Sequence, residues 1–193
     1  MKTIVVTGGI ATGKSTTLKQ FSFLGVKTYS SDEMVNEIYN KDKEFFLEIE
    51  KLYPKTIRKG KVNKKELSNL AFRNIEVLNN LEQIIYPKLI QKRAKLIKNS
   101  FLNNISTILF EVPLLFEKKI SEEFDLIITT TCNKELQLQR YLKRENTSLE
   151  KFNCINRKFL GSSERFKKSD HIINTGNGMY HSLLLIKKII KKI

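Results

Sequence analysis

The chain has 193 residues, 40% hydrophobic and 28% charged, the composition of a globular protein long enough to bury a core. No run approaches the roughly 20 apolar residues of a membrane span, and Met1-Lys2 leads into an apolar run too short for a secretory signal, stopping at Thr7-Gly8. The net charge of +15 comes from 28 lysines and 7 arginines spread over the whole chain, without an RNP, zinc-finger or helix-turn-helix signal. That pattern points to small polyanionic substrates and away from nucleic acid or membrane. Cys132 and Cys154 lack metal-ligand spacing, so a reducing, cytoplasmic setting is expected, and a monomer is the working expectation.

In chain order, short apolar runs predict buried parallel strands at Thr3–Thr7, Ser106–Phe110, Asp125–Thr130 and His171–Ile173, with a weaker one at Val26–Tyr29. Helical patterns at Ser15–Leu24 and Asn133–Arg144 separate them. A last helix over Tyr180–Ile193 puts Leu183, Ile186, Ile190 and Ile193 on one face. Alternating strands and helices imply an α/β fold with a doubly wound parallel sheet of about five strands. The stretch 32–100 breaks the alternation. It predicts helices at Asp32–Tyr39, Lys43–Leu52, Asn63–Phe72 and Ile75–Lys98, the last interrupted at Pro87, and a turn-like basic stretch at Lys55–Lys61. This reads as an inserted, all-helical subdomain of a single 1–193 domain.

Gly8 to Ser15 reads GGIATGKS, which fits G-x-x-x-x-G-K-[ST] in its proper context of a strand before and a helix after. The glycines let successive N–H groups turn around a phosphate, and the following helix offers its N-terminal end. Lys14 supplies a point charge between the β- and γ-phosphates, and the Ser15 hydroxyl is a Mg²⁺ ligand. Gly8, Ala11, Thr12, Gly13, Lys14, Ser15 and Thr16 are therefore the candidate contacts for ATP-Mg²⁺. A P-loop also needs an acid near the metal. Asp32 and Glu111 both follow strands at the carboxyl edge, where ligands of open α/β sheets bind. Asp32 suits a proton acceptor from a substrate hydroxyl or a holder of metal-bound water, although Ser30-Ser31-Asp32 also reads as a helix start. Arg140 and Arg144 fall four apart, on one face of the helix expected there, and Arg157 and Arg165 follow in a polar helical stretch. Together they suggest a helical lid, 140–166, that brings guanidinium groups to a transferring phosphate.

In several separate segments the chain resembles the dephospho-coenzyme A kinase family. The segments are TGGIATGKST (Thr7–Thr16), the loop ending at Asp32, VNKKELSNLAF (Val62–Phe72), LEQIIYPKLI (Leu81–Ile90), EVPLLFE (Glu111–Glu117), QLQRYLKR with Arg140 and Arg144, and SDHIINTGN (Ser169–Asn177). The P-loop is shared with many kinases; the PLLFE segment and the helix around Tyr86-Pro87 are specific to the family. The resemblance implies transfer of the ATP γ-phosphate to the ribose 3′-hydroxyl of dephospho-coenzyme A, the last step of coenzyme A synthesis. By position it makes Asp32 the catalytic acid/base and Lys14 the phosphate clamp, with Arg140 and Arg144 approaching ATP. It places Asn174 and Gly176 near adenine and gives the inserted helices the acceptor. It puts Lys64 where the family usually has arginine, and Pro113, Leu114 and Leu115 along the acceptor side.

Three positions depart from the family pattern. Ser30-Ser31-Asp32 stands for D-A-D, Tyr86 replaces a histidine, and the lid glutamine is missing around Phe159. The competing readings are a nucleoside or nucleotide kinase of the same P-loop class, a slow P-loop ATPase with a binding or regulatory role, and an inactive remnant.

Overall fold

The computed structural model describes residues 1–145 and 147–193. Among them, five strands form one parallel sheet in the order β2-β5-β1-β6-β7. The strands are β1 (Lys2–Gly8), β2 (Lys27–Ser30), β5 (Thr107–Glu111), β6 (Leu126–Thr131) and β7 (His171–Asn174). Each expected strand is present within a residue or two of its bounds.

β1 is central because it is apolar on both faces. Ile4, Val5 and Val6 are wholly buried, as a parallel strand covered by helices on each side requires. One face packs Ile4, Val6, Leu109, Ile128 and Ile173 against Leu18 and Phe21 of α1 (Lys14–Phe23) and Ile186 and Ile189 of α9 (Met179–Ile190). The final helix thus buries the apolar stripe expected of it, with Ile190 and Ile193 packed partly against the same core.

Register fixes which chain ends meet at the carboxyl edge. Ser30 and Val6 both pair with Glu111, Gly8 pairs with Thr130, and Thr131 with Asn174. The strand order reverses around β1, so the loop after Gly8 opens at the switch point where ligands of such sheets bind. α6 (Lys134–Leu142), α7 (Leu149–Asn156) and α8 (Ser162–Lys167) follow β6. Tyr141 and Phe152 from the first two enclose Ala11 of the loop in a small core.

Residues 31–99 form a second compact unit, distinct from that of 1–30 with 100–193. It holds α2 (Ser31–Lys41), α3 (Lys43–Leu52), α4 (Lys64–Arg73) and most of α5 (Ile75–Leu102). Phe45, Ile49, Leu67, Ala71, Val77 and Leu81 make its core. Caps set the helix starts: Asp42 accepts the Phe45 N–H and Asn63 the Glu66 N–H, which satisfies otherwise orphaned donors.

Two expectations fail in this unit. It is not all-helical, since β3 (Ile57–Arg58) and β4 (Lys61–Val62) pair as a minimal antiparallel hairpin. Lys59 and Gly60 turn it with φ of 49° and 70°, the positive values a two-residue hairpin needs; lysine in the first place hides the usual Asn-Gly signal. Nor does Pro87 interrupt the last helix, because α5 continues through it. Leu81, Ile84, Ile85 and Leu89 pack on both sides of the proline, and that burial outweighs the one lost hydrogen bond.

Candidate active site

The loop from Gly8 to Ser15 is built by close contact and wired by buried hydroxyls. Gly8 has φ of 146°, and a Cβ there would come within 2.5 Å of the Thr130 carbonyl oxygen. Only glycine fits at this point. Ala11 has φ of 55°, a left-handed conformation that costs a non-glycine residue energy. Its methyl group lies against Tyr141 and Phe152, which holds the strain in place.

Thr12 is 3% exposed. Its hydroxyl donates to the Gly9 carbonyl at 2.9 Å and lies 2.8 Å from the Thr130 hydroxyl. Thr175, following β7, approaches the Thr12 carbonyl at 2.8 Å and the Thr131 carbonyl at 3.2 Å through its own hydroxyl. The Gln137 amide of α6 donates to the Ile10 carbonyl at 2.7 Å. Sequence reasoning missed these supports. Their visible trace is the run Thr129-Thr130-Thr131 ending β6, polar side chains where a buried strand would otherwise carry aliphatic ones.

α1 begins at Lys14, and its N-cap Gly13 offers no side-chain cap. By contrast α3, α4, α6 and α7 have their first turns capped by Asp42, Asn63, Asn133 and Ser148. α1 also has no acidic residue in its first turn, which suits its N–H groups to an anion. The Lys14 ammonium lies along the loop, donating to the Gly8 and Gly9 carbonyls at 3.1 and 2.9 Å. Ser15 and Thr16 are exposed at the helix start.

Glu111 is 5% exposed at the end of β5. The Ser15 hydroxyl donates to its Oε1 at 3.4 Å and that of Ser30 to its Oε2 at 3.5 Å. A buried carboxylate beside the P-loop serine is a hard oxygen donor set suited to Mg²⁺, which typically takes one or two carboxylates and completes its shell with water and phosphate. No cluster of three or more His, Cys, Asp or Glu side chains placed to hold a metal occurs among the described residues. Asp32, the other acid named from sequence, lies exposed in the first turn of α2, in the 31–99 unit.

Arg140 is half-buried on α6 and forks onto Thr175, with Nη1 to the hydroxyl at 2.7 Å and Nη2 to the carbonyl at 3.0 Å. Through Thr175 it is tied to the Thr12 carbonyl. Arg144 lies beyond the end of that helix. α6 ends at Leu142 in a tight turn where the Arg144 N–H bonds the Tyr141 carbonyl at 3.0 Å, and Arg144 is exposed beyond it. Asn174 and Gly176 are exposed, joined by the Gly176 N–H to the Asn174 side chain at 2.9 Å.

Of the residues expected along the acceptor, Pro113 and Leu114 are half-buried in the turns after β5. Leu115 is 0% exposed: it is a core side chain and presents no surface. Lys64 and Tyr86 lie in the 31–99 unit. Lys64 is exposed, hydrogen-bonded to Asn36 and 5.5 Å from the centre of the Tyr39 ring. Burial pushes the Tyr39 phenol up from its ordinary pKa, so it faces the ammonium as a neutral ring. Tyr86 is half-buried on α5.

Comparison with known proteins adds names to this geometry. Residues 2–180 match the family model described as dephospho-CoA kinase. A dephospho-CoA kinase of Bartonella quintana (strain Toulouse) is 33% identical over 193 residues, covering 100% of this chain and 98% of that protein. A solved dephospho-CoA kinase from Campylobacter jejuni superposes with a TM-score of 0.67 at 28% identity, over 99% of this chain and 96% of that one. A crystal structure from Thermus thermophilus shares the fold with a TM-score of 0.82 at 23% identity, over 100% and 97% of the two chains.

Proposed function

The chain belongs to the dephospho-CoA kinase family, and on that premise we propose how its residues divide the work of transferring the ATP γ-phosphoryl group to dephospho-coenzyme A. The acceptor atom in this reading is the ribose 3′-hydroxyl, and the products are coenzyme A and ADP. The single observation that carries the donor side is the wired loop, with an uncapped helix start and the Lys14 ammonium lying along it. Lys14 leaves the Gly8 and Gly9 carbonyls to bridge the β- and γ-phosphates, while the loop's N–H groups and Thr16 hold the remaining oxygens. Arg140 stabilises charge on the transferring group, and Arg144 approaches the nucleotide from the segment after α6, within a lid spanning 140–166. Asn174 and Gly176 form the wall on the adenine side.

Mg²⁺ would be held by the Ser15 hydroxyl with Glu111 and Asp32 as the acids ordering its shell. When bound it neutralises charge on the phosphates. Asp32 takes the proton of the attacking hydroxyl. Ser30 stands where the family has its first aspartate, and Glu111 beside it keeps a carboxylate at that end of the sheet. Lys64, Tyr86, Pro113 and Leu114 bind the acceptor, with Lys64 steered by Asn36 and Tyr39. The inserted unit is thus the acceptor-binding part of a cytoplasmic monomer without a nucleic-acid partner, its lysine-rich charge attracting a polyphosphorylated substrate.

The test is ADP formation with purified protein, ATP and Mg²⁺, with and without dephospho-coenzyme A. Turnover that depends on the acceptor is expected. Equal ADP formation without it, or preference for nucleosides in a panel, overturns the assignment.

A further inference from the structure

Arg165, one of the four arginines expected in the lid, is a buried cation given no part in the division of work above. It sits on α8, 8% exposed, whereas Arg157, expected in the same lid, is exposed at the end of α7. A guanidinium carries five N–H donors. Among the described residues, Nη2 reaches Ser162 Oγ at 3.4 Å, and the buried Nε and Nη1 have no hydrogen-bond partner. Its compensation is indirect. The Phe159 ring centre lies 5.8 Å from Cζ, and the Glu117 carboxylate favours the charged form electrostatically while burial pulls the pKa below its ordinary value. One Glu117 oxygen already accepts the Leu160 N–H at 2.6 Å. For stability alone, a well-packed apolar side chain serves such a position better than an under-bonded charge.

What distinguishes the position is its neighbour. A Cβ at Gly9 would lie 3.3 and 3.4 Å from Arg165 Nη1 and Nη2, and 3.1 Å from Gln137 Nε2. The Gly9 carbonyl accepts the Lys14 ammonium at 2.9 Å. A guanidinium and an ammonium therefore flank the second residue of the phosphate loop from two sides, and Gly9, lacking a side chain, leaves only backbone between them. Two cations converging on an anion-binding loop, one with its donors unmet, match a ligand with several charged oxygens. A phosphate presents pairs of oxygens in the spacing a guanidinium edge takes up.

We propose that Arg165 is a phosphate ligand for ATP, its Nε and Nη1 edge engaging the terminal phosphate and so distinguishing ATP from ADP. The proposal rests on the reading of this loop as the ATP site. The edge is closed to solvent, so engagement requires the side chain to rotate past Gly9, which a Cβ there would obstruct. Arg165 neither gives nor takes a proton. The bond from the γ-phosphorus to the ADP oxygen breaks, that to the acceptor oxygen forms, and the guanidinium holds charge on the equatorial oxygens throughout.

The experiment compares wild type, Arg165→Met and Arg165→Lys by titration calorimetry with ATP and with ADP, alongside thermal unfolding without nucleotide. Arg165→Met is expected to lose ATP affinity tenfold or more, keep ADP affinity within about twofold, and unfold at or above the wild-type temperature. Arg165→Lys keeps the charge without the fork and is expected to fall between. Equal weakening of ATP and ADP, or no weakening, overturns the proposal and leaves Arg165 a buttress of the loop. Should the methionine variant fail to fold, an unchanged ATP-to-ADP ratio in the lysine variant overturns it equally. Acceptor-dependent ADP formation by the same wild-type preparation judges the assigned reaction separately, since the ATP-to-ADP ratio does not involve dephospho-coenzyme A.

Discussion

At the carboxyl edge of the sheet, Thr12 and Thr175 are buried and bonded to loop carbonyls, and buried Thr130 meets the Thr12 hydroxyl, whereas in the 31–99 unit Asp32 and Lys64 are exposed on helices. The first arrangement fixes the backbone before any ligand arrives, so binding there spends little on ordering the loop. The second keeps long or mobile side chains that settle on a substrate as it binds. On the proposed division of roles, the first arrangement suits the fixed chemistry of a phosphate and the second an acceptor held by side chains that order as it binds. The contrast makes a claim about catalysis: changes in the helical unit should act on turnover, and changes at the loop should act on nucleotide binding as well.

The largest expected effect tests the helical unit. Asp32→Asn keeps the shape and removes the proposed proton acceptor, and kcat should fall by roughly 10²–10⁴ with ATP affinity little changed. Turnover near wild type would mean that Asp32 has been misassigned and that Glu111 remains as the acid. Next comes Lys14→Ala, which removes the bridge to the Gly8 and Gly9 carbonyls and the proposed charged contact to the transferring phosphate. Nucleotide affinity and kcat should both fall, each by about tenfold or more. If kcat alone drops, the loop does not depend on the lysine for binding, and the contrast between the two regions weakens.

These two residues also mark how much was legible in the sequence. Lys14 sits in a local motif whose strand, glycines and helix are contiguous, so the eight residues Gly8 to Ser15 announce their own geometry. The alternation of apolar strands with amphipathic helices likewise announced the parallel sheet. Interactions between distant segments stayed hidden. Thr175 reaches back to Thr12 across 163 positions, and nothing local marks it. Arg140 and Arg144 share a helical spacing, yet the helix ends at Leu142, between them. Leu115 belongs to a family-specific segment, and only packing shows it turned into the core. The Lys59-Gly60 hairpin and the unbroken passage through Pro87 are cases where tertiary burial overrides local preference.

A smaller effect probes what holds the helical unit together. Asp42 caps α3 through the Phe45 N–H and accepts Lys88 at 3.0 Å, and Lys88 also meets Glu44 at 3.0 Å. Burial opposes the charge on Asp42, but the Phe45 N–H and the ammonium still hold its carboxyl below the usual range. Asp42→Ala should cost about 1–2 kcal/mol in urea unfolding, chiefly through the lost cap, and leave the KM for ATP unchanged. A rise in that KM would show that the two regions are coupled more tightly than their separate bonding suggests.

The smallest effect lies at the far end of the sheet, where β1 and β6 begin. The Thr3 N–H and hydroxyl donate to Asp125 Oδ2 at 2.7 and 2.8 Å, and the N–H bond above all holds the Asp125 carboxyl below its ordinary pKa. A lowered folded-state pKa means that the ionised form is the stabilising one. The contribution is therefore fully present above the unfolded value of about 3.9 and is lost as pH falls through the lower folded value. Asp125 is exposed, so the gap between wild type and Asp125→Ala should be below about 1 kcal/mol near pH 6. It should narrow steadily below about pH 4. ATP affinity should not follow it, because this clasp sits at the strand starts and the phosphate loop at the opposite, carboxyl edge. A gap that widened on acidification would mean the carboxyl is held in its protonated form, against the direction that the Thr3 donors dictate.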